Sequence, residues 1–208
     1  MIAWTWLSTT MRRNRARDSS TKSSNVLVSH QQRVGVNSLA VDAIDQVLMN
    51  SRLHYLGSAA RIIEPMRHLA ILTCMDARVD VSALLGLRPG DAHVIRNAGG
   101  RASTDALRAL AISQAAMNTR EIMVIHHTDC ALGRLSQAQL TEQISLASGH
   151  HFADELGCFT DPIGAIAEDL ERLRACPYLP ARDKIRGFMY DLASNLLTEV
   201  FAPDRAPH

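Results

Sequence analysis

The chain has 208 residues, of which 47% are hydrophobic and 21% are charged, a composition sufficient for the core of one ordinary globular domain. The formal net charge of +1 at pH 7 creates no strong field of either sign, so we expect neither nucleic acid nor a membrane surface as a partner. No apolar run approaches the roughly 18–20 residues that a membrane-spanning helix requires.

Residues 1–38 differ in composition from the rest of the chain. They are rich in Ser, Thr, Asn and Arg, and Asp18 is their only acidic residue. Their apolar start precedes the arginines, whereas a secretory signal begins with its positive charges, so we expect a disordered leader on a cytoplasmic protein. An organelle transit peptide has a similar composition and remains an alternative. We expect the folded domain to span 39–202 and a tail to follow at 203–208.

The central part of the chain alternates short apolar runs with helical patterns. In chain order, these patterns predict a helix at 40–56, a strand at 68–73, a short helix at 81–87, a strand at 92–95, a helix at 103–118 and a strand at 121–127. Short strands that are apolar throughout and are joined by helices indicate a parallel sheet covered on both faces. We therefore predict an α/β fold with a central, mainly parallel sheet flanked by helices.

The C-terminal part of the chain contains two further helical patterns and then extended segments. The helices are predicted at 136–147 and 161–175. Residues 184–200 form two extended runs on either side of a turn near Ser194 and Asn195. This pattern predicts a C-terminal hairpin or an added strand at the edge of the sheet.

Cysteine and histidine residues follow two of the predicted strands. Cys74 opens the segment CMDAR after the first strand, and the segment HHTDC, from His126 to Cys130, lies at the end of the third. Because the carboxyl ends of parallel strands form one rim of a sheet, these residues can converge. Two thiolates and one imidazole are a recognised catalytic zinc set with an open fourth position. The spacing to Cys130 suits both His126 and His127, so spacing alone does not choose between them.

Three short segments resemble the β-class carbonic anhydrase family. CMDAR matches its Cys-x-Asp-x-Arg motif, HTDC matches its His-x-x-Cys motif, and RNAGG at 96–100 lies between them as it does in that family. The resemblance extends from about Ala40 to Val200 and does not include the leader. It is specific, because three motifs occur in the right order at the right spacing.

The resemblance implies a β-carbonic-anhydrase-like fold, a metal and its ligands. Cys74, His127 and Cys130 become the ligands of one Zn²⁺ per chain, which selects His127 over His126. A homodimer, or a dimer of dimers, is implied as well, because this family builds its pocket at a subunit interface.

Asp76 and Arg78 become the catalytic dyad by the same resemblance. It implies that the site is closed when Asp76 binds zinc, and that the zinc carries water when Arg78 holds Asp76. The planar guanidinium group suits such a bidentate pair with a carboxylate. The alternative interpretation of the two residues is a surface ion pair in a turn, which contributes little to stability.

The segment between the two motifs is expected to line the substrate pocket, through Asn97, Ala98, Gly99 and Gly100. The two glycines have an alternative explanation, since they are also typical of a tight turn between a strand and a helix.

The expected activity is the reversible hydration of carbon dioxide to bicarbonate and a proton by zinc-bound hydroxide, the reaction of a carbonate dehydratase, a lyase. Hydrolysis of carbonyl sulfide or carbon disulfide on the same scaffold is an alternative, because motifs do not reveal the pocket that selects the substrate. A second alternative is a non-catalytic, zinc-stabilised binding or sensor protein in which Asp76 permanently closes the site. The presence of both Asp76 and Arg78 favours an enzyme.

Overall fold

The computed structural model describes residues 43–53 and 63–201. They fall into two units, and the first contains helix α1, Ala43–Leu53, within the predicted helix at 40–56. The predicted leader at 1–38 and the tail at 203–208 lie outside the described residues, so the predicted domain boundaries stay predictions. Within the described part of the chain, no helix combines the length and apolar character that crossing a bilayer demands.

The second unit contains one turn of 3₁₀ helix at Ala98–Gly100 and all other described strands and α-helices, from residue 63 onward. In chain order they are β1 (Leu69–Cys74), α2 (Val81–Leu85), β2 (Ala92–Asn97), α3 (Thr104–Met117), β3 (Glu121–His127), α4 (Ala131–Arg134), α5 (Gln137–Ser148), α6 (Pro162–Ala175), β4 (Ile185–Asp191) and β5 (Leu196–Val200). Every helix and strand predicted in this part of the chain is present. Helix α4 was not predicted, because four residues are too few to reveal a helical period.

The strands form one five-stranded sheet in the order β2-β1-β3-β4-β5. Strands β2, β1, β3 and β4 run parallel, and β5 pairs antiparallel with β4 at an edge. The predicted parallel sheet and C-terminal edge hairpin are therefore confirmed. Asn195 forms the hairpin turn with a φ of 59°, a left-handed conformation that asparagine tolerates better than most residues.

Two strands are longer at their carboxyl ends than the sequence predicted. Cys74 is the last residue of β1, not the first residue after it, and β2 continues beyond 95 to Asn97. The reason is tertiary, because the two strands pair with each other until Cys74 lies opposite Asn97. The ladder therefore carries both residues to the same rim of the sheet.

Side chains of alternate strand residues pack into two cores on opposite faces of the sheet. On one face Leu72 and Val124 contact helices α3 and α6 through residues such as Leu110 and Ile166. On the other face a smaller core surrounds Ile71, which is fully buried. Both faces are covered, which explains the runs of consecutive apolar residues in β1 and β3. Burial of each such side chain contributes about 1.5–3 kcal/mol.

Candidate metal centre

Three buried side chains meet at the carboxyl ends of β1 and β3. Cys74 ends β1, His127 ends β3, and Cys130 is the N-cap residue of α4. Their ligand atoms all lie within 4.8 Å of one another, and the two Sγ atoms are 4.0 Å apart. Each of these residues is at most 5% exposed. The predicted convergence of the two motifs at one rim is therefore confirmed.

The imidazole ring of His127 presents a free nitrogen to the two sulfur atoms. Its Nδ1 lies 2.8 Å from the main-chain carbonyl of Thr128, which can only accept, so Nδ1 carries the proton. The Nε2 atom then has a lone pair, and it is buried without a hydrogen-bond partner. A buried polar atom without a partner needs an explanation. A metal ion bound by Nε2, Cys74 and Cys130 provides one.

Main-chain N–H groups lie close to the sulfur atom of Cys74. The N–H of Asp76 lies 3.5 Å from Cys74 Sγ, and the N–H of Gly99 also contacts this sulfur. Such donors stabilise thiolates, which are the form that binds metal. In the metal-free chain the hydrogen bond between the sulfurs lowers the pKa of Cys74 and raises that of Cys130, because one proton serves both.

This donor set fits zinc. Two thiolates and one imidazole nitrogen are soft and borderline ligands of the kind that Zn²⁺ prefers, and they leave the fourth tetrahedral position open. The structure includes His127 in the group and does not include His126, in agreement with the choice that the resemblance implied.

The side chain of His126 points to the opposite face of the sheet. It is 1% exposed, and its Nε2 lies 3.0 Å from a carboxylate oxygen of Asp169 in α6. Its ring stacks on Phe159 with centroids 5.9 Å apart. Asp169 also pairs with Arg101 at 3.1 Å and accepts from the main-chain N–H of Ala102 at 3.0 Å. His126 therefore belongs to a buried ionic cluster that sequence reasoning did not find.

Arg78 holds the carboxylate of Asp76 in a bidentate ion pair. Nε and Nη2 donate to the two oxygens at 3.0 Å and 2.6 Å, and the main-chain N–H of Arg78 donates at 2.9 Å. These hydrogen bonds hold the pKa of Asp76 well below its usual range. Asp76 Oδ2 lies 3.9 Å from His127 Nε2, so the carboxylate that Arg78 holds lies beside the metal ligands.

Two further residues support the Asp76–Arg78 pair, and sequence reasoning missed both. Arg96 donates to the carbonyls of Cys74 and Asp76 at 2.9 Å and 2.7 Å, which fixes the main chain between them. Asp129 accepts from Arg78 at 2.8 Å. Both lie inside the motifs RNAGG and HTDC, but their roles depend on side-chain directions that the sequence does not specify.

The segment from Asn97 to Gly100 turns immediately behind Cys74. Gly99 and Gly100 have φ angles of 75° and 69°, and a Cβ atom on Gly100 would lie 2.9 Å from the main-chain nitrogen of Cys74. Glycine is thus required for both the turn and the close approach. Asn97 and Ala98 line a cavity of about 230 Å³ on the α6 side. That these four residues line the substrate pocket stays a prediction.

Comparisons with known proteins agree with this geometry. The sequence model of a family described as carbonic anhydrase matches residues 69–151. Beta-carbonic anhydrase 1 of Mycobacterium tuberculosis is 38% identical over 136 residues, which cover 65% of this chain and 83% of that protein. Carbon disulfide hydrolase of Saccharolobus solfataricus is 32% identical over 167 residues, covering 68% and 78% respectively. The solved structure of a carbonic anhydrase from Streptococcus mutans has a TM-score of 0.69 at 37% identity, covering 76% of this chain and 95% of that one.

Proposed function

The chain belongs to the β-carbonic anhydrase family, and we propose that it catalyses the reversible hydration of carbon dioxide to bicarbonate and a proton, as a carbonate dehydratase. The observation that carries this proposal is the buried group of Cys74, His127 and Cys130, with the unpartnered Nε2 of His127 facing both sulfurs. One Zn²⁺ per chain is the cofactor that these donors fit.

The metal and the surrounding side chains have separate tasks. When bound, zinc supplies hydroxide near neutral pH, because it lowers the pKa of its bound water to about 7. The main-chain carbonyl of Thr128 fixes the ring orientation and tautomer of His127. The main-chain N–H of Asp76 helps to keep the thiolate of Cys74 stable in a buried site.

Asp76 acts in this proposal as an acceptor that orients the attacking group. Its pKa is held low by hydrogen bonds from Arg78, so the carboxylate remains ionised and is a weak base. A weak base can accept a hydrogen bond from the attacking hydroxide without taking its proton permanently. This hydrogen bond would orient a lone pair of the hydroxide toward carbon dioxide. Arg78 engages both carboxylate oxygens and so holds Asp76 in an ion pair, which supports an enzyme over a protein whose zinc Asp76 permanently closes.

A second candidate is hydrolysis of carbon disulfide or carbonyl sulfide. The similarity to the carbon disulfide hydrolase of Saccharolobus solfataricus favours it, at 32% identity. Leu132, Leu140 and Phe159 pack around the two ligand cysteines, and such an apolar wall suits any small linear heterocumulene. Since the same nucleophile serves these substrates, the ligand set does not discriminate between them.

Parallel assays of the purified full-length protein test the proposal. We expect about one zinc per chain, as the three-ligand site with an open fourth position requires, and carbon dioxide hydration measured by stopped flow to exceed sulfide release from carbonyl sulfide or carbon disulfide. Sulfide release without hydration would favour the second candidate. Full hydratase activity in a protein that contains no zinc would contradict the metal site itself.

We also propose that the protein is a homodimer or a dimer of dimers. Helix α1 supports this, because Ile44, Val47 and Leu48 lie on one helical face and are 54–69% exposed. Symmetric dimers commonly bury such faces. Light scattering of an active preparation at micromolar concentration should give at least twice the chain mass of 22.8 kDa. An active preparation that contains only monomer would contradict this assembly.

We propose a cytoplasmic location, which the cysteine chemistry supports. Cys74, Cys130, Cys158 and Cys176 are all free thiols, as expected in a reducing compartment. Microscopy of a fusion with a fluorescent protein at the C-terminus tests this proposal. Accumulation in an organelle that is lost on deletion of 1–38 would instead support a transit peptide.

A further inference from the structure

We propose that Asp129 is a positioning residue that holds Arg78 in the orientation in which Arg78 keeps Asp76 away from the metal. The inference rests on the proposed function, because it concerns the regulation of the same site. Asp129 is not a metal ligand in this proposal, and its effect on the site passes only through Arg78.

The donors of the Arg78 guanidinium are divided between two partners. Nε and Nη2 face the carboxylate of Asp76, while Nη1 donates to Asp129 Oδ2 at 2.8 Å and Nη2 also donates to the main-chain carbonyl of Asp129 at 3.0 Å. Guanidinium has five N–H donors in a rigid fork, so four contacts from two sides define its plane and its position. Asp129 therefore completes the orientation that the pair with Asp76 begins.

The conformation of Asp129 makes this double contact possible. Its φ angle is 62°, a left-handed conformation that is uncommon for residues other than glycine, asparagine and aspartate. Asp129 lies between the ligands His127 and Cys130. The residue that anchors Arg78 and two of the metal ligands therefore belong to one loop. Arg134, at the end of α4, binds the other carboxylate oxygen through Nε at 2.6 Å. The two arginines hold the pKa of Asp129 down, at about 2.

An anchor is needed because Arg78 is half-exposed. Half of its side chain is accessible to water, where a long flexible side chain gains entropy by leaving a single ion pair. Asp76 Oδ2 lies only 3.9 Å from His127 Nε2, so a released carboxylate is already beside the open ligand position. Loss of the anchor should therefore shift Asp76 toward the metal, where it competes with external anions.

The test compares variants that remove the anchor without straining the loop. Asp129→Asn keeps the shape and tolerates the left-handed φ angle, and Asp129→Gly removes the side chain while tolerating the same φ angle. Glu121→Gln is the matched control, because it also removes an exposed ion pair, with Lys184 at 3.0 Å, at the opposite end of β3. Azide affinity is measured from the visible spectrum of the Co²⁺-substituted protein, alongside zinc content and carbon dioxide hydration.

We expect both Asp129 variants to bind azide about twofold to fivefold more weakly than wild type, the range for one exposed ion pair. The Asn variant should have the smaller effect, and Glu121→Gln should match wild type. In an Arg78→Ala background, Asp129→Asn should cause no further change, because its effect passes through Arg78. Wild-type azide affinity in both Asp129 variants, an equal additional loss in the Arg78→Ala background, or loss of zinc from Asp129→Asn would each overturn the proposal. A wild-type protein that binds metal and does not hydrate carbon dioxide would overturn the proposed function, while the azide measurements would still decide the role of Asp129.

Discussion

His126 and His127 are neighbours in the sequence and are each 1% exposed, yet they lie in opposite chemical environments. Nε2 of His127 faces two cysteine sulfur atoms, whereas Nε2 of His126 lies 3.0 Å from a carboxylate oxygen of Asp169. Successive strand residues point to opposite faces of a sheet, and this alternation alone separates them. The comparison shows that burial does not identify a metal ligand, and that the groups facing the ring do.

Loss of zinc and of activity is the largest expected effect, and of the two histidines only the removal of His127 should cause it. Metal binding through His126 would break the comparison. His127→Ala should lose zinc and all hydratase activity, and His126→Ala should retain about one zinc per chain, because three protein ligands are the minimum for a catalytic site. Cys74→Ser and Cys130→Ser should behave like His127→Ala, since a hydroxyl does not replace a soft thiolate. Metal analysis of the four purified variants decides the matter, and zinc loss from His126→Ala alone would reverse the assignment.

The affinity for zinc should depend steeply on pH, because the ligands Cys130 and His127 have raised pKa values. In the metal-free chain the hydrogen bond with Cys74 raises the pKa of Cys130. Burial lowers the pKa of His127, but the nearby sulfur of Cys74 and the hydrogen bond to the Thr128 carbonyl raise it by more, so the net direction is upward. Both groups must lose protons to bind metal, so affinity should rise with pH, by about tenfold per pH unit for each proton released.

Calorimetry of zinc uptake in buffers of different ionisation enthalpy counts the released protons. His126→Ala is the control and should release the same number as wild type, because His126 is not a ligand in this assignment. Zinc affinity that is constant between pH 6 and pH 8 would contradict the protonation states given above.

Variants of the Asp76–Arg78 pair sharpen the comparison. They should change the properties of the metal site at His127 and leave the cluster of His126 and Asp169 unchanged. Asp76→Asn should lower turnover by about tenfold to a hundredfold, as for other groups that orient a metal site, and should bind azide more tightly. Arg78→Ala should also lower turnover with zinc retained, but should bind azide more weakly, since the freed carboxylate takes the open position. Near-wild-type turnover in Asp76→Asn, or tighter azide binding in Arg78→Ala, would refute the dyad.

The smallest expected effect is on folding stability, and it should be seen when His126 is replaced. His126→Ala in the metal-free protein should lower the free energy of unfolding by about 1–3 kcal/mol, because it leaves the buried carboxylate of Asp169 without one partner. His127→Ala in the same metal-free form should cost less, since Nε2 of His127 faces two cysteine sulfur atoms and its removal leaves no buried carboxylate without a partner. Urea denaturation of the two variants measures the difference, and an equal cost for both would contradict the comparison.

Hydrophobic patterns predicted the fold well because nearly every core strand is covered on both faces. The runs at 68–73 and 121–127 each contain four consecutive apolar residues, and strand β3 was predicted with the bounds that it has, Glu121–His127. The pattern failed where pairing between strands set the length, as at Asn97 in β2. It also missed the four-residue helix α4, which starts directly after Cys130 and is too short to show a helical period.

The amino-acid sequence by itself determined the order of strands and helices, the donor types of the metal site and the positions of the two motifs at strand ends, since these follow from local periodicity and residue chemistry. Only the tertiary structure decided which ring faces the sulfurs, because spacing to Cys130 suits both histidines. It also decided that Asp129 contacts Arg78 and that His126 meets Asp169. Such contacts join residues 43 and 51 positions apart, and their existence depends on how the sheet and helix α6 pack, which no local pattern contains.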